Sequence, residues 1–101
     1  VNLGWRMHIE AVGGTVLADT AALHLALSTP ERCRMASWLS HMHFPEECDI
    51  APGQGARLKD GLIRLPDVPG IGVVPDEARL GPPAAVYTAT LPPVQGLRVS
   101  E

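Results

Sequence analysis

The chain has 101 residues, enough for one small domain or part of a larger one. Apolar residues make up 46 %, so it can build a core, while only 4 % aromatic residues leave that core to Leu, Val, Ile and Ala. Eight Lys and Arg against eleven Asp and Glu give a formal charge of −3 with no basic run, which argues against nucleic-acid or anionic-membrane partners. No apolar run reaches the roughly 18 residues of a spanning helix. No charged and apolar leader pattern opens the chain. Cys33 and Cys48 do not form a C-x-x-C pair and read as reduced thiols of a cytoplasmic protein. Val1 runs straight into an apolar pattern, the opening expected of a chain cut from something longer.

Arg6 to Glu10 alternates polar and apolar residues and predicts a short strand. Gly13-Gly14 breaks it. Thr15 to Leu27 then predicts a helix, with Val16, Leu17, Thr20, Leu23, His24 and Leu27 at helical spacing and Thr15 at the cap. His24, between Leu23 and Leu25, reads as a packed structural histidine. Ser28-Thr29-Pro30-Glu31 ends the helix, because the residue before a proline avoids helical geometry. Thr29-Pro30-Glu31 also suits the start of a new helix, but Cys33 to Trp38 fits a strand better. Residues 40–55 read mainly as loop. Asp60-Gly61 between Arg57-Leu58-Lys59 and Leu62-Ile63-Arg64-Leu65 is a hairpin signal, since both turn positions need positive φ. Pro66 to Val73 is rigid and turn-rich, and Ala84 to Thr90 reads as a final strand. Ten glycines and ten prolines fall mostly after Phe44, so a periodic first half gives way to a turn-rich second half.

Strand, glycine turn, helix, strand is a crossover unit of a parallel sheet. Two such strands cannot close a sheet, and natural folds avoid open edges. The expectation is a missing N-terminal portion, with the isolated chain marginally stable or self-associating.

Gly13-Gly14, Thr20 to Ala26 and Ser28-Thr29-Pro30-Glu31 together resemble the seventh βα unit of enolase-superfamily barrels, in the mandelate racemase and muconate-lactonising group. Asp60-Gly61-Leu62-Ile63-Arg64-Leu65-Pro66-Asp67-Val68-Pro69-Gly70-Ile71-Gly72-Val73 resembles that group's C-terminal signature. Glu10 before the glycine pair, with the Ser28 to Glu31 string, looks nearest to members acting on hydroxyproline or proline-betaine-like substrates. The resemblance implies an α/β fold: the C-terminal fragment of a modified TIM barrel. Residues 1–44 would be the last βα units, and 45–101 an extension with a β-hairpin returning towards a missing capping domain. It further implies a parent isomerase or lyase — racemase, epimerase, cycloisomerase or dehydratase — that removes the proton α to a carboxylate. Such a parent uses magnesium, takes a small carboxylate substrate and forms a homo-oligomer. The family's metal carboxylates and lysine bases belong to strands absent here. Lys59 is the only lysine and sits in the hairpin, so no catalytic residue is assigned in this chain and the isolated chain is expected to be inactive.

On that frame Glu10, Ser37 and Trp38 are substrate-pocket candidates at the ends of the last two barrel strands. Some members carry an acidic residue where this sequence has Ser37-Trp38-Leu39-Ser40. His8 shares the Glu10 side of its strand and is a secondary candidate for a base, although its deeper position suggests packing in the barrel. His41 and His43, with Cys48, form an alternative metal set of their own, since His-x-His can grip one ion from an extended segment. Without the resemblance, the same residues describe a small non-enzymatic α+β module that binds a protein partner through an open sheet edge.

Overall fold

The computed structural model describes residues 3–89. Strand β1 (Met7–Glu10) leads through the glycine turn into helix α1 (Val16–Ser28), and strand β2 (Arg34–Trp38) follows. β1 and β2 pair in parallel, as a helical crossover dictates, with Ile9 opposite Ser37 and Glu10 opposite Trp38. A register shift between Met7 and His8 offsets the pair at its start.

Alanines and leucines carry α1, with Val16, Asp19, Thr20, Leu23 and Ala26 buried. The buried stripe is turned from the expected one: Leu27 stays 53 % exposed while Asp19 is inside. Thr15 does occupy the cap position, but its side chain makes no capping hydrogen bond. The other end is closed by Ser28 Oγ and Thr29 Oγ1, which both donate to the carbonyl of Leu25, before Pro30 stops the helix. Glu31–Cys33 is a single 3₁₀ turn, and the strand begins directly after it. His24 is exposed, not packed as expected, because it lies outside the buried stripe; its Nε2 donates to the carbonyl of Ile71 at 3.0 Å.

The segment after β2, expected to be mainly loop, holds two 3₁₀ turns, Ser40–His43 and Glu46–Cys48. The hairpin is present: β3 (Arg57–Lys59) pairs antiparallel with β4 (Leu62–Arg64) across Asp60 and Gly61. Their φ angles of 53° and 75° are what a two-residue hairpin turn requires. A short helix α2 (Glu77–Leu80) was not expected; Asp76 caps it at the Ala78 N–H and Gly81 ends it at φ 66°. Residues 84–89 form no strand, contrary to expectation, and Thr90 lies outside the described residues. Pro82-Pro83 removes two N–H donors just before that stretch, and Val86 and Tyr87 are left exposed.

Two small cores join the halves of the chain. Leu23, Ala26, Leu39 and Ala56 form one, with Ile9, Ile63 and Leu65 packed on it. Val16, Ile50 and Ala51 form the other, with Leu17 and Val73 against it. The second half therefore packs on α1 and does not extend the β1–β2 sheet. No helix among the described residues is long and apolar enough to cross a membrane.

Thr20, fully buried, docks the two halves: its Oγ1 donates to Val16 O and accepts from the Ala56 N–H at 2.9 Å. The neighbouring Gly55 has φ 71°, and a Cβ there would lie 2.5 Å from Thr20 Oγ1 and 2.9 Å from Val16 Cγ2. Gly55→Ala is expected to destabilise the protein by about 3 kcal/mol through combined strain and overpacking. Chemical denaturation of the variant beside wild type measures this.

Candidate functional site

The two strand ends are the natural place to look, because parallel strands deliver their C-termini to the same side. Period-two alternation puts His8 and Glu10 on one face of β1, and the register sets Ala36 and Trp38 beside them. α1 covers the other face, where Ile9 and Ser37 are half-buried. His8 Nε2 lies 3.1 Å from Glu10 Oε2, and both side chains are about two-fifths exposed. The sharing of a side holds. His8 is exposed among the described residues, and the barrel strands it was expected to pack against are not among them.

Trp38 is 52 % exposed and stacks on His43, with ring centroids 5.3 Å apart and planes 14° from parallel. Ser37 ends at the same edge as Glu10 but, being opposite Ile9, takes the α1 side of the sheet. It reaches a cavity of about 270 Å³ with Trp38, His43, Leu58 and Ile63, so the hairpin closes over the exit of β2. Glu10 and Trp38 are thus together on the open face, while Ser37 meets Trp38 only in that cavity and not Glu10.

The metal alternative meets a different geometry. His41 turns towards α1 and His43 lies on Trp38, so the two rings have separate partners. Cys48 is exposed in the next 3₁₀ turn. Among the described residues no three His, Cys, Asp or Glu side chains come together as a metal set.

What holds the strand exits is Asp19, a residue the sequence reading passed over. Its side chain is fully buried. Oδ2 accepts from the backbone N–H of His41 at 2.8 Å and from His41 Nδ1 at 2.6 Å, and Oδ1 lies 2.8 Å from Ser40 Oγ. The Ser40 hydroxyl also faces the carbonyl of Ala11 at 2.7 Å, so its one hydrogen lies between two acceptors. One carboxylate therefore ties α1 to the residue after Glu10 and to the turn after Trp38. The available signal was positional: 16, 19, 20 and 23 form one helical stripe, and Asp19 is its acidic member.

A second polar clasp shapes the loop beneath. Arg57 donates through Nε to Gln54 O, through Nη1 to Asp49 Oδ2 and through Nη2 to Ala51 O, all within 2.9 Å. Burial works to raise the Asp49 pKa. The hydrogen bonds from Arg57 and the Ala51 N–H, with the charges of Arg57 and His41, outweigh it and hold the carboxyl below its ordinary 3.8.

A scan against protein-family models finds no match. Among solved structures, the chain is similar to an enolase-superfamily member from Roseovarius nubinhibens ISM, at 60 % identity and TM-score 0.76. That match covers 87 % of this chain and 23 % of the other, and the same figures hold for a complex of such a member with magnesium. A Silicibacter pomeroyi protein, provisionally named a mandelate racemase/muconate lactonizing enzyme, is 46 % identical with TM-score 0.72, over 83 % of this chain and 23 % of its own. The chain thus spans about a quarter of the length of the solved proteins it matches.

Two outcomes follow from the Asp19 and Asp49 carboxylates. Asp19→Ala strands the His41 backbone N–H and Nδ1, while the Ser40 hydroxyl keeps the Ala11 carbonyl, and is expected to cost about 3 kcal/mol or more; denaturation midpoints against wild type measure it. Asp49 has a lowered folded pKa, so its contribution is complete above about pH 4 and is lost as pH falls through the folded value. Asp49→Asn is expected to flatten the acid limb of the stability–pH curve while leaving its shape near neutrality unchanged.

Proposed function

From a chain that shares the sequence and fold of part of an enolase-superfamily protein, we propose a segment of a barrel enzyme, an isomerase or lyase that removes the proton α to a carboxylate. The observation that carries this reading is the parallel β1–α1–β2 crossover with Glu10 opposite Trp38 at the strand ends. Parallel strands are stable when covered on both faces. Here one face and both edges of the pair are open among the described residues, and α1 carries Leu25 and Leu27 on its outer side. Neighbouring barrel strands and helices are the cover that such surfaces suit.

The magnesium associated with the family finds no ligand set among the described residues. No step is therefore assigned to it through this chain, and its ligands, like the bases, are attributed to strands outside the chain. The contribution of this segment is to bind and orient. Glu10 brings negative charge to the open face, and Trp38 brings an exposed π face, so both favour a cation. A carboxylate held there by itself would be repelled by Glu10. A substrate carrying a cationic amine beside its carboxylate satisfies both, in line with the hydroxyproline- or betaine-like substrates that the sequence suggests. His8 hydrogen-bonds Glu10 and fixes the carboxylate position.

The isolated chain is expected to show no exchange of a substrate α-proton with deuterated solvent, even with magnesium added, whereas the intact protein exchanges it. Proton NMR reads both, and exchange by the isolated chain would defeat the segment reading. In the intact protein, Trp38→Ala is expected to raise KM for a cationic amino-carboxylate about tenfold, with Trp38→Phe retaining most of the affinity. An equal loss for an uncharged analogue would show that Trp38 acts by packing alone.

A further inference from the structure

An indole offers a cation two faces, and at Trp38 one of them is already taken. The His43 ring lies on it, centroid to centroid at 5.3 Å, with the planes 14° from parallel. His43 closes the 3₁₀ turn Ser40–His43 that follows β2. That turn is pinned to α1: Asp19 accepts from the His41 N–H and lies against His41 Nδ1 and Ser40 Oγ, all within 2.8 Å. These bonds come from Ser40 and His41, so they do not depend on the side chain at residue 43. His43 is exposed, and an exposed imidazole has other rotamers open to it in solvent. It nevertheless lies flat on Trp38. Next to the pair is the cavity of about 270 Å³ lined also by Leu58 and Ile63. Without the His43 ring the indole has that space to turn into.

We propose that His43 is a positioning residue for Trp38: its stack fixes the indole plane and leaves the opposite face to the cationic amine of the substrate. The inference rests on the reading of Glu10 and Trp38 as the amine subsite, and it names what aims that subsite. An unstacked tryptophan at 52 % exposure samples several rotamers, each presenting its π face in a different direction. A cation then binds only the fraction of molecules with the face in place, and its affinity falls by that fraction. The stack raises the competent fraction before any ligand arrives. Glu10 is opposite Trp38 in the register and is itself paired with His8 at 3.1 Å, so both halves of the subsite are held by a neighbouring ring. The effect falls on cationic ligands, because what the stack aims is the attraction of the ring quadrupole for positive charge.

The test is isothermal titration of the intact protein with two probes of one shape, glycine betaine and the anion of tert-butylacetic acid. They differ by a quaternary nitrogen in place of a carbon, so the ratio of their dissociation constants reads the cation subsite alone. Trp38→Ala is expected to abolish the preference for glycine betaine. His43→Ala is expected to reduce it about fivefold, the scale of one aromatic pair. His43→Phe keeps a flat ring and is expected to recover most of it. A ring that only supported the fold would weaken both probes together and leave the ratio unchanged. An unchanged ratio in His43→Ala, or no recovery in His43→Phe, overturns the positioning role while the Trp38→Ala result leaves the subsite standing. A wild-type protein without the preference, or a Trp38→Ala variant that keeps it, overturns the subsite and the role of His43 with it.

Discussion

The arrangement of this protein depends on one buried carboxylate. Asp19 lies inside α1 and gathers the Ser40 hydroxyl, the His41 N–H and the His41 ring at distances of 2.6–2.8 Å. Through Ser40 it also reaches the carbonyl of Ala11, immediately after β1. A buried acidic group is costly unless all its bonds are made, and here they come from segments that must be placed correctly relative to one another. The exits of both strands are therefore positioned together, and with them Glu10 and Trp38. Substitutions at Asp19 act on the rim through that geometry, without touching the rim residues themselves.

The turn-rich second half is held by a comparable logic of backbone capture. Gln54 pairs reciprocally with Val74, its Oε1 accepting from the Val74 N–H and its Nε2 donating to the Val74 carbonyl. His24 takes the carbonyl of Ile71, and Arg79 donates to Asp49 O. Segments rich in Pro and Gly cannot satisfy their polar groups in a sheet ladder, so side chains supply the partners. The close contact at Gly55, where the backbone meets Thr20 and Val16, lets this half sit directly on α1.

The two faces of the β1–β2 pair divide the chemistry. The α1 side carries the small cores and the Asp19 bonds. The open side carries His8, Glu10 and Trp38, polar and aromatic groups in a place where a sheet covered only by α1 leaves them accessible. Period-two alternation makes that division unavoidable: moving the register by one residue would exchange the two sets. The similarity to enolase-superfamily structures at 46–60 % identity covers 23 % of those chains.

Much of the local structure was written in the sequence. The crossover followed from Arg6 to Trp38 because alternation, a glycine break and helical spacing are short-range patterns. The hairpin followed from Asp60-Gly61, since few residue pairs accept positive φ twice in succession. The family resemblance came from the same contiguous motifs. The tertiary structure decided the rest. Which stripe of an alanine- and leucine-rich helix turns inward depends on what packs against it, so His24 and Leu27 moved to the surface and Asp19 moved inside. His41 and His43, two residues apart, parted because one found a buried carboxylate and the other an indole ring, partners set by segments 22 and 5 residues away. Local spacing specifies elements, whereas burial and hydrogen-bond partners across the fold specify which side chains meet.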